Sequence, residues 1–414
     1  LGVFAFRVVT RLFIYLAAAS VILTGVFAFQ IATRSTAQDW SSPDTPPLAQ
    51  GEVQKDPIFI VIFDALGGGV LLKDGQIDAE RFPHFAALGR DSAVFTNATS
   101  NYNLTHLSIP SFLTGRWVAP EDLLRGRAPS ATGAHADSVL SVLRQNGYSI
   151  KGYDEGLQLL RSHPELMIWE VSIFYYETMV PRLVRDRFYL SALSHPFTLL
   201  AWDDFLREIS ASRSPGSVYL VHPMVPHEPF EFDRYGQKRP SPPSRDASQM
   251  ERAYEEQVRL VDNLLGKFTD KLKAEGLYER SVIVVTGDHG PRPVGALLSR
   301  PPQELHAFSP SVTMIIHAPR VRPRVSEVDY QHIDFRPTLW EALGWRPTEK
   351  GLSGVSAFAP DRPRRDKWFW NDWTAGSGGS GVLEIGERLT PFSGGWFKYD
   401  RTTGWWRLSP SGPP

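Results

Sequence analysis

Five short apolar runs, near 58–63, 148–152, 217–222, 281–286 and 312–316, constrain this chain most, because most are continuously apolar rather than alternating. A strand that is apolar on nearly every residue must be buried on both faces, which requires a mostly parallel sheet with helices on both sides. Segments of helical character at 83–88, 139–145 and 250–274 supply the alternation that an α/β sheet of this kind needs. In the last of them Met250, Tyr254, Val258, Val261 and Leu265 recur at helical spacing, a stripe most simply read as core packing.

The ends of two runs carry chemistry. Asp64 closes the first, and Asp288-His289-Gly290 follows the fourth. In an open α/β sheet ligands gather outside the carboxyl ends of the strands, so two strand-end carboxylates and an imidazole can meet although most of the chain separates them. Such a group can hold a divalent cation. Thr105 opens the segment Thr-His-Leu-Ser-Ile-Pro-Ser-Phe-Leu-Thr-Gly-Arg, and a threonine oxygen on such a cation loses its proton far more easily than free threonine.

Together these segments resemble the alkaline phosphatase superfamily, specifically its sulfatase-like branch, over about 57–344. Thr114-Gly115 follows Thr105 at the spacing at which the family's Thr-Gly follows its nucleophile, whereas Ser108 stands too close. The pattern Thr105-x-x-Ser108-x-Pro110 is similar to the nucleophile segment of phosphoethanolamine transferases, and threonine is likewise the nucleophile of nucleotide pyrophosphatase/phosphodiesterases. His222-Pro-Met-Val-Pro-His227-Glu-Pro229 resembles another stretch of the transferases, whose second histidine faces the substrate phosphate or a second metal. The resemblance therefore favours His227 over His222, and His306 stands where the family returns one more active-site histidine. His332-Ile-Asp334-Phe-Arg-Pro-Thr resembles the helix after the site, with Asp334 most simply its N-cap.

Departures from the family narrow the chemistry. Sulfatases carry a cysteine or serine for conversion to formylglycine and an arginine four residues later. Threonine cannot form that aldehyde, and even with Ser108 in that role Phe112 stands where the arginine belongs. Sulfate ester hydrolysis is accordingly the alternative to phosphoryl transfer, and a non-catalytic membrane-anchored binding protein is a third reading. Where sulfatases have an all-oxygen calcium site, this chain has Asp64-Ala65 and Asp288-His289, and an imidazole ligand shifts the preference from calcium to zinc or manganese. The expected site is one ion at Asp64, Thr105, Asp288 and His289. His222, His227 and His306 would hold a second ion or bond the substrate phosphoryl oxygens.

The rest of the chain sets the context. Residues 12–32 carry no charge and are flanked by Arg7, Arg11 and Arg34, which predicts a transmembrane helix within 1–34 and an extracytoplasmic, periplasmic catalytic domain. Residues 35–57 read as a polar linker, 58–366 as the catalytic domain, and 367–414 as a small aromatic-rich antiparallel β subdomain. In the last part 376–381 is a flexible connection, and packing of the aromatics against the main sheet is favoured over an open carbohydrate surface. A net charge of −1 argues against a nucleic-acid partner, and the lack of cysteine excludes disulfides and thiolate chemistry. A membrane tether points to a lipid head group or envelope glycan as substrate, and leaves the exact substrate, hydrolase against transferase, and oligomeric state open.

Overall fold

The first predicted strand shows how this sequence makes its sheet. In the computed structural model β1 (Ile58–Phe63) is buried throughout, and its side chains divide by parity. Ile58, Ile60 and Ile62 enter one core, and Phe59, Val61 and Phe63 enter another on the opposite face. The structure describes residues 55–118, 138–154, 194–240, 246–291, 310–345, 351–372, 394–400, 405–409 and 411–413. The chain divides into two compact units, Leu1–Thr45 and Pro46–Pro414, and the described residues fall in the second. The predicted transmembrane stretch at 12–32, most of the linker, the 376–381 connection and His306 lie outside them. No helix among the described residues is long and apolar enough to cross a membrane.

After β1 come α1 (Gly68–Leu71), the two-stranded β2 (Leu72–Lys73) and β3 (Gln76–Ile77), α2 (Pro83–Arg90) and β4 (Ala93–Thr99). Then follow α3 (Thr105–Thr114), α4 (Val139–Gln145), β5 (Ser149–Asp154), α5 (Ser194–Glu208), β6 (Ser217–His222) and α6 (Ala247–Ala274). The sheet is completed by β7 (Val282–Gly287), β8 (Ser311–His317), β9 (Arg324–Ser326) and β10 (Tyr330–Gln331), before α7 (Phe335–Ala342). Its order is β10-β4-β8-β7-β1-β6-β5, with β9 also on β4. Pairs among β5, β6, β1 and β7 are parallel, and β8 runs antiparallel to β7 and β4. The sheet is thus mostly parallel, with one reversed strand inside it.

Helices cover both faces. Ile109 and Phe112 of α3, Val139 and Leu140 of α4, and Leu339 and Trp340 of α7 join the core of Ile60. Phe85 of α2, Trp202 and Phe205 of α5, and the α6 stripe join that of Phe59, so Met250, Tyr254, Val258, Val261 and Leu265 are core residues as expected. Asp246 caps α6 by accepting from the Gln249 amide at 3.0 Å. Asp334 does not act in that way on α7. Its carboxylate accepts from the amides of Gln331 and Val355, both at 2.9 Å, and pairs with Arg362 and Arg365. A buried carboxylate lacking cationic partners would be costly, and two arginines from further along the chain offset that cost better than an orphan helix amide could.

The predicted aromatic strands form a separate antiparallel sheet of β11 (Trp368–Asp372), β12 (Gly394–Asp400) and β13 (Trp405–Ser409). Trp368, Phe369, Trp370 and Phe397 are buried, so these aromatics pack rather than display a surface. The sheet is grafted onto the segment before α3: the Trp370 amide donates to Asn101 O at 2.8 Å, and the Asn103 amide to Trp370 O at 3.2 Å.

Phe268 of α6 is fully buried between the rings of Phe59, Trp202 and Phe205 at centroid distances of 5.3, 6.4 and 5.5 Å. Phe268→Ala removes that ring from the joint between helix and sheet and should destabilise the protein by about 3–5 kcal/mol, measured by urea unfolding.

Candidate active site

The parallel arrangement brings the carboxyl ends of β6, β1 and β7 side by side, so His222, Asp64, Asp288 and His289 meet at one rim of the sheet. All four are buried. One ligand atom from each of Asp64, His222 and Asp288 lies within 4.8 Å of the others, a spacing that fits a single cation. His289 Nε2 is 3.8 Å from Asp64 Oδ1 and 3.4 Å from Asp288 Oδ2, and His222 Nε2 is 3.9 Å from that same Oδ2.

Hydrogen bonding divides these groups into held and available atoms. Asp288 Oδ1 accepts from the amides of Ala65 at 2.9 Å and His289 at 2.8 Å, while Oδ2 has no hydrogen-bond donor among the described residues. Asp64 Oδ1 is likewise buried without a donor. His289 Nδ1 lies 2.8 Å from Gly290 O, which makes Nδ1 the donor and leaves the Nε2 lone pair facing the carboxylates. Two bare carboxylate oxygens beside imidazole nitrogens are costly unless a cation satisfies them, so these residues fit a divalent metal. Burial opposes ionisation of Asp288, but the neighbouring His289 and His222 and the bond from Ala65 outweigh it and hold the carboxyl below its ordinary range.

Thr105 is the first residue of α3 and is only partly buried, with Oγ1 3.5 Å from His289 Nε2. The helix ends at Gly115, whose φ of +68° admits glycine readily and whose amide closes on Ser111 O at 2.9 Å. The Thr-Gly used to pick the nucleophile is therefore the C-terminal stop of the helix that Thr105 begins. Ser108 points elsewhere: it is fully buried and donates to Asp288 O at 2.6 Å.

Behind Ser108 stands His332, whose Nδ1 is 3.3 Å from its Oγ and whose pKa is pushed down by burial to about 3. His332 is thus a neutral prop behind the ligand-bearing strand, although the sequence reading gave its segment only a helix-capping role. Tyr254, read only as core, has a polar task as well: its hydroxyl donates to Ala65 O at 2.9 Å and accepts from the Gly67 amide at 3.0 Å. That pins the backbone after Asp64, where Ala65 sits at φ +60°. Space there is tight, since a Cβ on Gly287 would meet Leu66 O at 2.2 Å. His tautomers and Tyr hydroxyl bonds have no one-dimensional signal.

Of the predicted residues, Asp64, Thr105, Asp288 and His289 come together, and His222 joins them more closely than expected. His227 lies outside the ligand group on the loop after β6, partly exposed, with Nδ1 2.6 Å from Glu228 O.

The family model for sulfatases matches residues 58–345. Among solved structures, the phosphonate monoester hydrolase of Silicibacter pomeroyi superposes with a TM-score of 0.57 at 18% identity, covering 83% of this chain and 85% of its own. A Bacteroides thetaiotaomicron protein of multiple-glycosaminoglycan metabolism gives 0.56 at 16%, covering 87% and 92%. The lipoteichoic acid synthase LtaP of Listeria monocytogenes gives 0.50 at 16%, covering 78% and 80%. At these identities the likeness is one of fold. No curated protein matches the chain significantly by sequence.

Metal content separates the ligand group from the outlying histidine. Asp288→Ala and His289→Ala should each cut bound zinc or manganese to below about a tenth of an equivalent, whereas His227→Ala should keep about one, as read by elemental analysis after dialysis.

Proposed function

The chain belongs to the sulfatase family, and on that premise we propose that it is a metal-dependent hydrolase or transferase of phosphate esters with Thr105 as nucleophile. One observation carries this reading. The hydroxyl placed at the ligand group is that of Thr105, while Ser108, the residue that could in principle give an aldehyde, is turned into the protein. Threonine is a secondary alcohol, so its oxidation gives a ketone and not the aldehyde on which sulfatase chemistry depends.

Asp64, Asp288 and His289, with His222 beside them, would hold the ion, zinc or manganese by their donor set. When bound, that ion supplies positive charge that eases ionisation of the nucleophile and stabilises the phosphoryl oxygens.

The remaining steps belong to the chain. Thr105 stands at the positive end of a ten-residue helix, which favours both its alkoxide and the phosphoryl group it would carry. Its Oγ1 attacks phosphorus in line, its proton passes to solvent water, and the bond from phosphorus to the leaving oxygen breaks. His227 donates to the leaving oxygen, with Nδ1 anchored on Glu228 O and Nε2 as the working atom. Water or an acceptor alcohol then gives its proton to His227 and displaces phosphorus from Thr105, whose oxygen takes back a proton from solvent water, so that both residues are restored. His306 assists in this reading. The uncharged stretch at 12–32 supports a reading in which this chemistry acts at the outer face of a membrane, on a lipid head group or envelope glycan.

The metal-loaded protein should cleave an aryl phosphodiester, phosphomonoester or phosphonate monoester faster than the matching aryl sulfate. Mass spectrometry of a quenched reaction should find the phosphoryl adduct on Thr105. Thr105→Ala should lose at least about a thousandfold in kcat with folding intact, and Ser108→Ala less than about tenfold. Preference for the aryl sulfate with no adduct on Thr105 would return the chain to sulfate ester hydrolysis.

A further inference from the structure

Gln257 of α6 is fully buried within a stripe otherwise made of Tyr254, Val258 and Val261. An apolar residue would pack there without desolvating an amide, so the amide needs partners and finds four. Its Oε1 accepts from the amides of Glu231 at 3.1 Å and Phe232 at 3.2 Å, and its Nε2 donates to Pro226 O and His227 O, both at 3.1 Å. Both lone pairs and both N–H groups are used, and all four partners are backbone atoms of the loop that carries His227. Residues 223–231 have no helix or strand of their own, so their buried polar groups depend on such a substitute. The substitute sits on a helix of 28 residues whose apolar stripe packs against the sheet. One turn earlier on that face, Tyr254 holds the backbone after Asp64 through Ala65 O and the Gly67 amide. A single helix face therefore fixes both the loop behind the ligand group and the loop of the outlying histidine.

We propose that Gln257 is a positioning residue that holds the His227 loop in register with Thr105 and the ligand group. The proposal rests on the assignment of His227 to the substrate. Gln257 touches no reacting atom in this scheme. It acts by keeping the His227 backbone, and with it the imidazole, at a fixed distance from the leaving oxygen, where a misplacement on the order of 1 Å costs about a hundredfold.

The test is a double-mutant cycle in the full chain, loaded with zinc or manganese and assayed on whichever ester of the panel above the native protein cleaves fastest. Gln257→Met keeps the chain length and removes all four hydrogen bonds. Gln257→Glu keeps the acceptor for Glu231 and Phe232 and loses the two donations to Pro226 and His227. Both should lower kcat on the order of tenfold, shift KM by less than about threefold and leave bound metal unchanged. The Glu231 and Phe232 amides should exchange hydrogen faster in Gln257→Met. In a His227→Ala background neither change should reduce kcat by more than about twofold further, because the group it positions is gone.

An equal loss with and without His227, loss of metal, or an unchanged kcat would overturn the proposal and leave the reading of His227 intact. If His227→Ala alone leaves kcat unchanged, the role of His227 falls and this proposal with it. Should Gln257→Met fail to fold, Gln257→Glu closes the same cycle.

Discussion

Two carboxylates buried side by side at the ends of adjacent parallel strands are the constraint that organises this molecule. Each would cost several kcal/mol if left unmatched, and their mutual repulsion adds to that. The fold meets part of the cost with backbone, since Asp288 Oδ1 takes the amides of Ala65 and His289. The first of these requires Ala65 to turn into the left-handed region, which in turn requires Tyr254 to hold its carbonyl. The other part falls on Asp64 Oδ1 and Asp288 Oδ2, which the protein leaves bare toward the rim. Backbone strain, a buried tyrosine hydroxyl and a group of atoms spaced to suit a cation thus follow from one electrostatic choice.

Much of this is legible in the sequence because it is written in patterns of short period. Continuous apolar runs identify β1, β6, β7 and β8, and the strand-end carboxylates follow from where those runs stop. The aromatic strands of the tail are likewise announced by their composition. The spacing from Thr105 to Thr114-Gly115 has a physical counterpart, since Thr105 and Gly115 mark the two ends of one short helix.

Other features escape because they are set by partners far away in the chain. β4, Ala93–Thr99, mixes polar with apolar residues and pairs on both sides with strands more than two hundred positions later. The start of α3 has no side-chain cap and a proline inside it, so its propensity is poor and packing decides. The reversal of β8 cannot be read from its residues, which would suit either direction. Asp334 looks like a helix cap locally, but two arginines from beyond the helix claim it. His222 looks like a core histidine by burial, and only the parallel pairing of β6 with β1 brings it to Asp288.

The graft between β11 and the segment Asn101–Asn103 has a consequence for the order in which the fold is completed. Asp64 and Thr105 precede Trp370 by most of the catalytic domain, yet the backbone bonds that brace the approach to α3 come from Trp370. Nascent chains fold from the amino end at the pace of synthesis, so α3 waits for β11 before its last support arrives. Until then the strands of the main sheet can pair while the start of α3 is unbraced.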